Sequence, residues 1–292
     1  MYPSLLIFCV LFQCLFILTT GCTKSQLPKY VELDQLRVLT LIADKPEVGP
    51  GETVTITPVI SDIKETASLT YEAYGCIDPG VSAGAKATCD NNSTQILLGQ
   101  GTITSATSSE MSQNFSGSAP SFTLNIPASS VIFSQRSSMD QFNGVSYLVT
   151  YKVSNTSGQN VLSFKRILVS NKSSSDKNTN PVVQNILSQG QALGVNNFPL
   201  NGKFSLQMEL VTGAAQSYQV QLDDGSFSTR TEEITTTWFI TDGSLKYYRS
   251  NAQDTNEFTA PEALNSQRKS FLFSVTRDSR GGVSVKRVCG GC

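Results

Sequence analysis

No histidine occurs anywhere in the 292 residues. That absence removes the commonest general base near neutral pH and the commonest zinc ligand, so nucleophiles activated by histidine are excluded. Basic residues never run longer than two, as at Lys165-Arg166, Arg268-Lys269 and Lys286-Arg287. Without a basic stripe there is nothing to neutralise a phosphate backbone, and nucleic acid is not an expected partner. Tryptophan occurs once, at Trp238, on the same alternating face as Ile234 and Ile240 where it reads as core, and the sequence shows no sign of the aromatic-walled sugar cleft that a glycosidase pair of carboxylates needs. Beyond residue 22 no stretch carries a convincing helical period, and Ser, Thr, Asn and Gly dominate between short apolar alternations.

What is there begins with LLIFCVLFQCLFIL, Leu5 to Leu18, apolar but for Gln13. It is shorter than the roughly 20 residues a membrane-crossing helix needs and has the length of a signal-peptide core. Thr19, Thr20 and Gly21 then lead into Cys22. The arrangement resembles the lipobox of bacterial lipoprotein precursors, although Thr19 stands where that family usually has Leu and the leading MYPS carries no Lys or Arg. The resemblance implies cleavage before Cys22, a lipid on its thiol and an acylated amino group (a palmitate-type anchor). Thr23 in place of the Asp linked to inner-membrane retention implies the outer membrane. An ordinary cleaved secretory signal is the competing reading.

Cys9 and Cys14 would leave with the signal, and Cys76, Cys89, Cys289 and Cys292 remain besides Cys22. In an exported compartment such thiols pair. A Cys76–Cys89 bridge would close the loop IDPGVSAGAKAT and stabilise the fold by roughly 3 kcal/mol on the chain-entropy model. For the CGGC of Cys289 to Cys292 a local bond is expected ahead of a bond to a partner molecule. Thioredoxin-like activity is not supported, because no helix follows to activate the first thiol.

Large side chains two apart recur at Val54-Ile56, Tyr147-Val149-Tyr151-Val153, Phe204-Leu206-Met208-Leu210, Tyr218-Val220-Leu222, Ile234-Thr236-Trp238-Ile240 and Phe271-Phe273-Val275. Period two means strands with one buried face. Turn signals at Pro50-Gly51, Asp78-Pro79-Gly80, Asp224-Gly225, Asp242-Gly243 and Gly281-Gly282 separate them, and the sum argues for an all-β chain of β-sandwiches. SNKSSSDKNTN, from Ser170, has no apolar residue and reads as a solvated linker. The expected organisation is a signal peptide at 1–21, a lipid-anchored tether at 22–35, one sandwich at 36–170, the linker at 171–180, a second sandwich at 181–288 and a CGGC tail at 289–292.

LIADKPEVGPGETVTITPVI, at 41–60, resembles the opening of bacterial immunoglobulin-like domains. WFITDG at 238–243 and FLFSVTRDSRGGVSVKRV at 271–288 are similar to the Trp strand and final hairpin of PKD-type and related domains. The resemblance implies two immunoglobulin-like sandwiches acting as binding modules or spacers. It brings no catalytic residue with it.

Three constellations bear on chemistry. Ser61-Asp62-Ile63-Lys64 has the S-x-x-K form of penicillin-binding enzymes, but it follows a strand and its S-D-N and K-T-G companions are missing; it reads as coincidence. Asp223-Asp224 and Glu232-Glu233 flank a loop that could offer oxygens to calcium, yet Asp-Gly is a hairpin turn in its own right. LKYYR, Leu245 to Arg249, should return as a strand beside the Trp238 strand, leaving one of Tyr247 and Tyr248 exposed near Lys246 or Arg249. Tyr and Arg are enriched among residues that carry interface energy, so Tyr247, Tyr248 and Arg249 are the candidate contact surface. The reading is a lipid-anchored outer-membrane protein with a non-enzymatic binding role, no cofactor and no metal, contacting the membrane through its lipid and an unidentified protein or glycan. The alternatives are a structural spacer or assembly subunit, and a hydrolase using loop carboxylates.

Overall fold

The computed structural model describes residues 32–64, 67–80, 87–89, 94–104, 116–266 and 268–292. Cys22 and the signal peptide expected at 1–21 lie outside the described residues. Strands of the first half are β1 (Arg37–Ala43), β2 (Glu47–Val48), β3 (Thr53–Ser61), β4 (Leu69–Ile77), β5 (Ile96–Ile103), β6 (Ser116–Ser118), β7 (Phe122–Asn125), β8 (Val145–Asn155) and β9 (Asn160–Val169). Those of the second half are β10 (Val183–Ser188), β11 (Gln191–Ala192), β12 (Gly202–Leu210), β13 (Ser217–Gln221), β14 (Phe227–Thr231) and β15 (Thr235–Ile240). They continue as β16 (Ser244–Leu245), β17 (Arg249–Asn251), β18 (Asn256–Ala260), β19 (Ser270–Arg277) and β20 (Val283–Gly290).

The first sandwich packs β1-β3-β6, with β7 also on β3, against β2-β9-β8-β4-β5. Alternation decides the inner face: on β8, Tyr147, Val149, Tyr151 and Val153 enter the core with Val54, Ile56 and Leu124, while Lys152 points out. Tyr151 stacks on Tyr71 and Phe122 at 5.6 and 6.1 Å between ring centroids. The second sandwich packs β11-β10-β12-β18-β16 against β17-β15-β19-β20. Trp238 is fully buried there with Leu206, Phe258 and Leu272, as its alternating face required. These are two immunoglobulin-like β-sandwiches, and the described chain from residue 32 belongs to one compact unit.

Four expectations are corrected. The stretch after Gly243 returns beside the Trp238 strand only at its end: β16 crosses to β18 in the opposing sheet, and pairing with β15 begins at the Tyr248 carbonyl, which accepts the Trp238 N–H at 2.9 Å, and continues along β17. A side chain at Gly243, φ +92°, would collide with the Thr259 carbonyl and the Phe258 ring, and after this close approach Leu245 packs half-buried against the core. The connector 171–180 is a solvated linker only in part: Asn171, Ser173, Ser174, Ser175, Asp176 and Thr179 are exposed, but Lys172 and Asn178 are buried and held by an ion pair and hydrogen bonds. Leu33, placed in the tether, is buried, and its N–H donates to the Ile240 carbonyl at 2.8 Å. Cys289 and Gly290, placed in the tail, finish β20.

The sandwiches meet along an apolar seam. Leu39 and Val59, on the outer faces of β1 and β3, join Leu33 and Ile63 against Phe239, Phe271, Phe273, Val275 and Val283. β1 and β19, and β3 at its Val59 end, are therefore buried on both faces, one in a sandwich core and one in the seam.

Candidate functional site at the junction of the sandwiches

Beside the seam lies a buried ionic cluster whose centre is Arg280. The turn between β19 and β20 builds its perch. Asp278 Oδ1 accepts the N–H groups of Arg280 and Gly282, both at 2.8 Å, and a side chain at Gly282 would collide with that carboxylate. From there Arg280 Nε reaches Glu232 at 2.7 Å, Nη1 reaches Glu47 at 3.2 Å and Nη2 reaches Gln216 Oε1 at 3.1 Å. Its guanidinium carbon lies 4.4 Å from the centre of the Tyr218 ring, a cation–π arrangement.

Glu47, from the first sandwich, has no solvent exposure. Its carboxylate accepts from Ser170 Oγ at 2.7 Å and from the Asn178 N–H at 2.8 Å, and pairs with Lys172 at 3.3 Å. Both ends of the connector are thereby tied to the cluster. Glu232 also accepts the Gln216 N–H at 2.9 Å. Burial pushes its carboxyl above the ordinary carboxylate range, against the opposing pull of Gln216 and Arg280. Lys165, on the inner side of β9, donates to the Gly281 carbonyl; burial lowers it to about 8, opposed by Asp278 and helped by Arg277. A buried ion pair adds little over a well-packed apolar replacement, but removing one partner strands a charge and costs about 3–5 kcal/mol. The cluster therefore fixes how the two sandwiches fit together.

The hairpin β13–β14 extends this junction. It forms a separate two-stranded sheet and leans on the short helix Ser138–Asn143 of the first sandwich, where Phe142 meets Phe227 edge to face at 5.1 Å. A cleft of about 250 Å³ opens between the hairpin and the connector, lined by Phe142, Lys172, Lys177, Tyr218, Gln219 and Arg280 among others.

Apart from Glu232, the residues singled out in the sequence lie elsewhere. Cys76 and Cys89 are at disulfide distance, 5.8 Å between Cα atoms, and pack on Leu148; Cys289 and Cys292 are likewise at 5.9 Å. Tyr247 and Tyr248 are both exposed, at 49% and 62%, because 246–248 is the crossover between β16 and β17, where strand alternation does not apply. Lys246 lies 5.3 Å from the Tyr247 ring, and Arg249 donates to Thr235 Oγ1 at 3.2 Å. Tyr247, Tyr248 and Arg249 are on the second sandwich and none lines the junction cleft. Asp224 caps its own turn, accepting from Ser226 N and Oγ at 2.9 and 2.6 Å, bonds that hold its carboxyl below the ordinary range. Glu232 belongs to the ionic cluster, so the loop carboxylates are not gathered into one site. Among the described residues no three of His, Cys, Asp and Glu stand close enough to hold a metal. Ser61 bonds Ser116 across the sheet at 2.8 Å.

Sequence reasoning missed Glu47, Lys172, Glu232 and Arg280 as a set. They come from four distant stretches of the chain, and no spacing links them. The only signal was a negative one, a polar connector with two lysines between two apolar strands.

The site and layers define a two-sandwich immunoglobulin-like protein. No family model matches the chain, and no curated protein matches it. Among solved structures it is similar to the crystal structure of the periplasmic chaperone SfaE, at 11% identity and a TM-score of 0.26, over 86% of this chain and 98% of that one. It is also similar to Escherichia coli alpha-2-macroglobulin activated by porcine elastase, at 10% identity and a TM-score of 0.29, over 89% of this chain but 22% of that one. Likenesses so distant carry no functional conclusion.

Proposed function

We propose that this chain is a cell-envelope binding protein, held at the outer membrane by a lipid on Cys22, which contacts a protein or glycan partner through its sandwiches and performs no catalysis. The observation that supports a binding role is the junction. Two domains fixed to each other through a seam and an ionic cluster present their loops and edges in one geometry, and preorganisation of this kind lowers the ordering cost of binding. The same rigidity favours the spacer or assembly reading, in which every contact lies within one envelope complex. Crosslinking on intact cells, with identification of what is attached, tests the proposal. Saturable capture of a molecule foreign to the cell supports binding; crosslinks confined to a fixed envelope complex support assembly. Metabolic labelling with a fatty acid tests the anchor: Cys22→Ser should abolish the label, and a label that persists contradicts it.

A further inference from the structure

Hydrogen bonds of an antiparallel ladder alternate, so every second residue of an edge strand turns its N–H and C=O away from its partner. In the β13–β14 hairpin the phase is fixed at both ends: the Glu232 N–H donates to the Gln216 carbonyl at 3.0 Å, and the Leu222 N–H to the Ser226 carbonyl at 2.8 Å. Tyr218 and Val220 share that phase and face β14. Ser217, Gln219 and Gln221 face outward, along the edge of β13 that looks towards the first sandwich.

At Gln221 that edge is already paired. The side-chain amide of Asn143 accepts from the Gln221 N–H and donates to the Gln221 carbonyl, both at 2.8 Å. These are the two bonds a residue of a neighbouring strand would make. At Ser217 and Gln219 the main-chain groups have no such partner among the described residues. Both residues line the junction cleft, whose far wall is the connector at Ser175, Asp176 and Lys177. A two-stranded hairpin is marginal alone, but this one is braced by the Arg280–Tyr218 contact at its base and the Phe142–Phe227 contact near its tip. Its edge is held out as a template.

We propose that the outer edge of β13 binds a short extended segment of a partner protein by strand addition, pairing main chain to main chain with Ser217 and Gln219 where Asn143 leaves off. Recognition through main-chain groups is tolerant of sequence, and side-chain preference would come from the cleft walls, Phe142 at one end and Lys177 at the other. This refines the binding role proposed above, but it is tested on the purified full chain, independently of partners found on cells, so either can fail without the other.

The probe is Ac-Thr-Val-Thr-Val-Thr-NH2, with its main-chain N-methylated counterpart as control, and the readout is amide hydrogen exchange of the full chain resolved to single residues. At ~5 mM probe, the Ser217 and Gln219 amides should exchange at least about threefold more slowly, and the methylated peptide should give no protection, since it lacks the donors a third strand needs. Asn143→Ala should extend the protected edge to Gln221, and Gln219→Pro should abolish protection at Ser217. Equal protection by the methylated peptide, protection confined to another edge such as β5, or none on β13 would each overturn the proposal.

Discussion

The two sandwiches are joined twice, and the two joints differ in kind. The seam of Leu39, Val59, Phe271, Phe273 and Val275 is apolar; it gains from area removed from water and is indifferent to small changes of angle. The cluster of Glu47, Lys172, Glu232 and Arg280 is directional, with each carboxylate and each donor in a distance range that tolerates little movement. One joint supplies adhesion and the other supplies register.

Replacing the bolt of the second joint should give the largest effect. Arg280→Ala leaves Glu47 and Glu232 buried without their shared partner and should destabilise the chain by about 3–5 kcal/mol, read from urea unfolding. A loss under about 1 kcal/mol would mean that the carboxylates rehydrate freely and that the cluster sets no register. In the seam, Leu39→Ala should cost about 2–5 kcal/mol, the range for a buried leucine. The comparison sharpens if the two variants are measured for fit as well as stability: Arg280→Ala should open the connector to trypsin at Lys172 and Lys177, and Leu39→Ala should leave those sites protected.

A pH series separates the joints further. Lys165 has a folded pKa depressed to about 8 by burial, so between about 8 and its ordinary value near 10.4 the unfolded chain binds more protons than the folded one. Stability must then rise with pH through that window, by about 2 kcal/mol on reaching pH 10. Lys165→Met should flatten this slope while leaving the seam untouched; an unchanged slope would assign it to another group. The smallest effect is expected away from both joints. Replacing Tyr247, Tyr248 and Arg249 together by Ala should alter stability by under about 1 kcal/mol, and a change in crosslinked partners at that level of stability would mark the strip as a contact surface.

How much of this was legible in the chain follows the same division. Alternating residues such as Tyr147-Val149-Tyr151-Val153 announced strands and their inner faces, and both cysteine pairs followed from proximity in sequence. The seam was half visible. VLTLIA in β1 and FLFSV in β19 are nearly continuous apolar runs, the mark of a strand covered on both faces, yet reading Phe271-Phe273-Val275 by period two assigned only one face of β19 to a core, and no period was read in β1. The cluster was hidden, because Glu47 and Arg280 look like surface charges until the fold brings them together. In SNKSSSDKNTN apolar content rightly points to exposure at most positions, but Ser170, Lys172 and Asn178 are buried, because polar side chains can be buried when they find partners, here Glu47 above all.

The central claim, that seam and cluster make one cooperative body of the two sandwiches, is tested most directly by calorimetry of the chain and of Arg280→Ala. The account predicts a single transition whose calorimetric and van't Hoff enthalpies agree, moved to lower temperature as a whole by the substitution. Two resolved transitions in the unsubstituted chain, with Arg280→Ala shifting only one of them, would contradict it.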